Sequence, residues 1–114
     1  MTATTCITYT TRRRTLDRLD ECRGPVLDLG DGRYLPLDAP ITRLGRRPGT
    51  DLQLDDQSVS GRHALLLSTP VGVILLHDRG AGGTYLNDER VDRTELMHGD
   101  EVRVGDVRFT YLEV

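Results

Sequence analysis

A chain of 114 residues is one domain's worth of sequence, and its 37% hydrophobic content suffices for a single modest core. All fifteen basic residues are arginine, which excludes phosphate-binding loops of the P-loop type, protein kinases and Schiff-base enzymes, since each needs a lysine. The net charge of −3 offers no overall positive field for nucleic acid, and no apolar run approaches the ~18 residues of a membrane span.

Residues 1–23 differ from the rest and are read as an N-terminal extension. They hold seven threonines, the run Arg12-Arg13-Arg14 and a mixed-charge segment from Thr15 to Cys22. Leu16, Leu19 and Cys22 recur every three residues, which predicts one face of a short helix with Thr15 as N-cap and Gly24-Pro25 as its stop. Thr5 to Thr11, β-branched around Tyr9, fits an extended segment equally well. Cys6 and Cys22 lack the spacing and histidine neighbours of a metal or redox site. No secretory leader pattern opens the sequence, so a reducing, cytoplasmic setting is expected, with both thiols free.

From Pro25 onward, short apolar runs alternate with glycine, proline and aspartate, the pattern of an all-β domain over residues 24–114. Val26–Leu29 and Arg33–Leu37 read as a hairpin across Gly30-Asp31-Gly32. Strands follow at Ile41–Leu44, Leu52–Leu54, Arg62–Ser68, Val71–His77, Thr84–Leu86, Arg90–Val91, Glu101–Val104 and Val107–Leu112. The expected fold is a β-sandwich of about ten to eleven strands, with an extension that is helical in part.

Catalytic chemistry finds no support. Gly80-Ala81-Gly82-Gly83 is not a dinucleotide fingerprint, there is no nucleophile elbow, and His63, His77 and His98 are too widely spaced for a metal site. Asp55-Asp56 resembles a carboxylate pair, but a turn after a strand explains it better. No enzyme activity, metal or cofactor is therefore expected.

Binding chemistry is better supported. Arg46, at a strand end, offers a rigid charged fork suited to phosphate oxygens, and Ser60 offers a hydroxyl. The turn from Gly80 to Thr84 offers backbone that a ligand can approach closely. The succession Leu44-Gly45-Arg46, Asp51-Leu52, Leu54-Asp55-Asp56, Val59-Ser60, His63-Ala64, Gly83-Thr84-Tyr85-Leu86-Asn87, Gly99-Asp100 and Val104-Gly105 resembles the forkhead-associated (FHA) family in order and approximate spacing. The resemblance covers about Pro25 to Val114 and implies a β-sandwich that recognises phosphothreonine in peptides.

By that resemblance Arg46 grips phosphate or peptide backbone and Ser60 bonds the phosphate. Gly61, Arg62, Ala81 and Gly82 would line the peptide site, while Gly45, His63, Gly83, Thr84 and Asn87 would support it from behind. Three departures stand out. The residue after the serine, often Asn or Arg in the family, is Gly61; the Asn that usually precedes Gly83 is Gly82; and the loop from Asp78 to Thr84 is about one residue short. Each missing donor is worth about 0.5–1.5 kcal/mol.

The partner implied is a phosphothreonine-containing protein, either a Ser/Thr-kinase substrate or the kinase itself, with no nucleic acid and no membrane involved. The alternative is a degenerate FHA scaffold that binds an unphosphorylated protein through a sheet face or its loops. Some FHA proteins also carry a phosphorylatable threonine tail that folds back on the site, a comparison that the threonines of residues 1–15 invite.

Overall fold

The computed structural model describes residues 8–79 and 82–114. Among these, twelve strands form: β1 (Tyr9–Thr11), β2 (Pro25–Asp28), β3 (Tyr34–Pro36), β4 (Ile41–Gly45), β5 (Leu52–Leu54), β6 (Ala64–Thr69), β7 (Gly72–His77), β8 (Thr84–Leu86), β9 (Glu89–Arg90), β10 (Arg93–Glu95), β11 (Glu101–Val104) and β12 (Val107–Glu113). They make two six-stranded sheets, ordered β1-β5-β4-β6-β7-β10 and β3-β2-β12-β11-β8-β9. The period-2 burial of β4, β6, β11 and β12 turns Leu44, Leu66, Val102, Val104, Val107, Phe109 and Tyr111 into one shared core. Each fully buried leucine contributes about 1.5–3 kcal/mol. Stability therefore resides between the sheets, and the loops at their ends are free to carry function.

All pairings are antiparallel except β4 with β5, which run parallel with a two-residue overlap of Leu44 with Leu52 and Gly45 with Gln53. So short an overlap means that β5 continues onward from the end of β4. The intervening residues 46–51 are displaced outward as a loop, its turn closed by the amide of Thr50 on the carbonyl of Arg47.

The extension is stitched to both sheets. β1 pairs with β5, and the amide of Asp55 donates to the carbonyl of Thr8. The Arg13 guanidinium donates to Thr42 Oγ1 and the Ile41 carbonyl and pairs with Asp51 at 3.3 Å. Tyr9 bonds Asp31, and burial together with that carboxylate raises its phenol to about 12. Thr10 and Thr11 thus lie within an edge strand, whereas Thr4, Thr5 and Cys6 lie outside the described residues.

The predicted helix is reduced to one 3-10 turn, Leu19–Glu21. Leu16 exchanges both backbone hydrogen bonds with Tyr34, which removes it from any helical ladder. Arg18 stands in extended conformation at the N-cap and no side chain caps the turn, so Thr15 does not have the role that the spacing assigned to it. Leu19 is exposed, while Cys22 is a fully buried free thiol whose ionisation is pushed up by burial. Two further differences concern edges. The strand expected at Arg90–Val91 forms at Glu89–Arg90, and Arg93–Glu95 adds a strand that its charged sequence concealed.

Candidate functional site

The site is built where β4 ends against the segment that precedes β6. Beyond Gly45, the amide of Arg46 donates to the carbonyl of Ser60 at 2.9 Å and that of Arg47 to the carbonyl of Gly61 at 3.2 Å. A Cβ on Gly45 would collide with the Gly61 carbonyl oxygen, so only glycine lets the two segments approach this closely. The two bonds fix the backbone of Arg46 beside Ser60.

The Arg46 side chain is exposed and its guanidinium makes no hydrogen bond among the described residues. Ser60 is half-buried; its amide donates to His63 Nδ1 at 3.1 Å, and its hydroxyl has no partner among the described residues. Beneath them, Asp56 accepts both the amide and the hydroxyl of Ser58, at 2.9 and 2.6 Å. Those bonds hold the Asp56 carboxyl below its usual range, and the charge of Arg46 adds to the effect. The Ser58 hydroxyl in turn accepts the amide of Asp106 at 2.8 Å.

His63 ties the site together. It is fully buried, and its Nδ1 accepts from Ser60 while its Nε2 donates to the Gly83 carbonyl at 2.7 Å. That pattern assigns the neutral Nε2–H tautomer. Its backbone amide also donates to Leu44, and its carbonyl accepts from Asp78. Burial lowers its basicity and the nearby His77 adds to this, against the opposing bond to Gly83. The two rings meet edge to face at 5.6 Å, and His77 Nδ1 is hydrogen-bonded to the buried Thr84 hydroxyl at 2.8 Å. Through its ring and its backbone amide, one histidine therefore joins β4, the Ser60 segment and the glycine turn.

The remaining predicted residues fall into distinct places. Gly83 takes a left-handed φ of +78°, which orients its carbonyl toward His63. A Cβ on Gly82 would lie 2.8 Å from the Ser58 carbonyl oxygen, whereas one on Gly61 would meet nothing nearer than Arg47 Cβ at 3.8 Å. Arg62 is drawn aside to Asp78 at 3.2 Å. Asn87 lies beyond the far end of β8, where it and Asp88 form a left-handed turn and its side chain bonds Asp100 and the Glu101 amide. Ala81 lies outside the described residues.

The FHA domain family profile matches residues 42–105, more than half of the chain and every site residue named from the sequence. The chain belongs to the FHA domain family. Over 91 residues it is 42% identical to the glycogen accumulation regulator GarA of Mycolicibacterium smegmatis, a match covering 79% of this chain and 54% of that protein. The structure of Mycobacterium tuberculosis EmbR in complex with a low-affinity phosphopeptide superposes with a TM-score of 0.74 at 32% identity, covering 79% of this chain and 24% of EmbR. A domain solved for phosphothreonine-dependent FHA interactions also superposes with a TM-score of 0.74, at 26% identity, over 80% of this chain and 97% of its own. The chain thus spans about half of GarA and a quarter of EmbR, the part that carries the FHA domain in this one.

One support of this FHA domain, Ser58, escaped the sequence reading. Gly82 and Gly105, the latter at φ +58°, both pack against the Ser58 carbonyl. The signal available was the Asp56-Gln57-Ser58 turn, in which a carboxylate takes the amide two residues on. Among the described residues no cluster of three or more histidine, cysteine or carboxylate side chains could hold a metal, and no helix is long and apolar enough to cross a membrane.

Proposed function

We propose that this chain is a non-catalytic phosphothreonine-peptide recognition module of cytoplasmic Ser/Thr-kinase signalling, its partner being a kinase substrate or the kinase itself. The observation that carries the reading is the backbone bond between Arg46 and Ser60, two neighbouring residues whose guanidinium and hydroxyl have no partner among the described residues. Arg46 forms charge-assisted bonds with the phosphate, Ser60 adds a neutral donor, and the turn carrying Ala81, Gly82 and Gly83 offers its backbone to the peptide. Burial of the threonine γ-methyl adds about 0.8 kcal/mol over phosphoserine, a several-fold preference.

Calorimetry with phosphothreonine, phosphoserine and unmodified forms of one peptide tests this reading. Binding is expected to require the phosphate and to favour threonine. Arg46→Ala should weaken it by about thirtyfold or more with a nearly unchanged melting temperature, because a surface guanidinium adds little to the fold. Ser60→Ala should cost about tenfold. Equal affinity for the phosphorylated and unmodified peptides would instead support a scaffold that binds an unphosphorylated partner. The packing of Gly82 against Ser58 favours that second reading, since it leaves no room there for a side-chain donor.

A further inference from the structure

Next to Arg46 and Ser60, on the outer face of the first sheet, the chain forms an open cleft of about 240 Å³. Arg47 and Gly61, joined by the second backbone bond of the ladder, line it, each next in the chain to Arg46 or Ser60 of the proposed phosphate site. Its floor is apolar, with Leu65 partly exposed opposite Arg43 in the β4–β6 pair. Its rim carries three guanidiniums, Arg43, Arg47 and Arg62, against a single lining carboxylate, Asp78.

Those charges are only weakly neutralised within the molecule. Arg47 has no side-chain partner among the described residues. The Asp51 carboxylate is held by Arg13 and by the backbone amide of Arg43, which leaves the Arg43 guanidinium at 4.0 Å, outside hydrogen-bond distance. Arg62 pairs with Asp78 at 3.2 Å, but half of its side chain is in water, where such a pair is worth little. A concave site with an excess of weakly neutralised cations fits an anion on an aliphatic stem.

We infer that this cleft is a specificity subsite for an acidic residue, glutamate above aspartate, flanking the phosphothreonine on one side. The inference rests on the phosphothreonine reading above and deepens it. The phosphate anchors the peptide at Arg46 and Ser60, and the neighbouring chain then enters between Arg47 and Arg62. The carboxylate meets Arg43 and Arg47 while its methylenes cover Leu65. The partner class is thereby narrowed to threonines phosphorylated next to an acidic stretch, and the chain's net charge of −3 makes such selection dependent on this local patch.

Three phosphothreonine peptides, each with its unmodified form, provide the test: one with alanine flanks, one with glutamates only before the phosphothreonine, and one with glutamates only after it. Each is titrated by calorimetry into the native chain and into Arg43→Gln/Arg47→Gln, which leaves Arg46 and Ser60 in place. At low salt, one acidic peptide is expected to bind about fivefold tighter than the alanine peptide. That advantage should vanish in the double variant, where the alanine peptide keeps its native affinity, and should shrink at high salt. No gain from either flank, equal gain from both, or a gain that survives in the variant would overturn the subsite while leaving phosphothreonine recognition intact. Phosphate-independent binding of all three peptides would overturn the reading beneath it and the subsite together.

Discussion

Gly61 and Gly82 present the same departure in sequence, a glycine where related domains often carry a side-chain donor, yet they answer to different physics. A Cβ at Gly61 enters ordinary contact at 3.8 Å, with open space beyond. A Cβ at Gly82 falls 2.8 Å from the Ser58 carbonyl, against which Gly105 is also packed. Packing does not require the first glycine, so substitution there should leave the fold untouched and change only what the surface offers a ligand. The second is a packing requirement, set by the approach of the glycine turn to Ser58, and the turn cannot regain a side chain without moving.

Gly45 provides the extreme of the second kind and the largest expected effect. Gly45→Ala drives a methyl into the Gly61 carbonyl, so β4 and the Ser60 segment must separate and both ladder bonds at Arg46 and Arg47 are lost. A cost of about 3 kcal/mol is expected, with phosphopeptide binding abolished together with it. A native melting temperature in this variant would show that the close approach at Gly45 is dispensable. Gly82→Ala should be milder, about 1–3 kcal/mol, because its methyl overlaps the Ser58 carbonyl, at 2.8 Å, less deeply than one at Gly45 overlaps that of Gly61. If Gly82→Ala melts like the native protein, the contrast with Gly61 collapses.

Protonation offers a gentler way to loosen the same joint. The folded state lowers the basicity of His63, so between the ordinary value of 6.5 and its depressed folded value the unfolded chain binds the extra proton. The contribution of His63 to stability is therefore complete above pH 6.5 and is lost progressively as the pH falls below it. Nitrogen-detected NMR of the ring is the direct check. The Nε2–H tautomer should persist below pH 6.5, with Nδ1 unprotonated against the Ser60 amide. A midpoint at or above the ordinary value would mean that the imidazole is not held in the neutral form.

Much of the sandwich was legible because its strands announce themselves by period and punctuation: Leu52–Leu54, Thr84–Leu86 and Glu101–Val104 form as read. The edges were not. Arg93–Glu95 buries too little for an apolar alternation, and Tyr9–Thr11 becomes a strand only because β5 offers it an open edge. The helix expected around Leu16 failed for a long-range reason, the bridge to Tyr34, which no local spacing encodes. At the site, the positions of Arg46, Ser60 and His63 could be picked out from residue type and order. What each glycine must avoid could not, since the obstacle at Gly45 lies sixteen residues away in the chain and that at Gly82 lies twenty-four away.

The smallest expected effect on stability is at Gly61, where it should come with a gain in binding. Gly61→Asn places an amide in open space next to Arg47, and its backbone carbonyl continues to accept the Arg47 amide. Stability should change by no more than about 0.5 kcal/mol, the range of an unconstrained surface position. The new side chain stands one residue from Ser60, beside Arg47, and offers two donors to a phosphate or to peptide backbone. One recovered hydrogen bond is worth about 0.5–1.5 kcal/mol, so affinity for a phosphothreonine peptide should rise between about twofold and tenfold. The gain must disappear with the unmodified peptide and in the Arg46→Ala background, because the added amide helps only a ligand already anchored there. Tighter binding of phosphorylated and unphosphorylated peptides alike would locate the contact elsewhere. A melting temperature that falls as far as that of Gly82→Ala would remove the distinction between the two glycines.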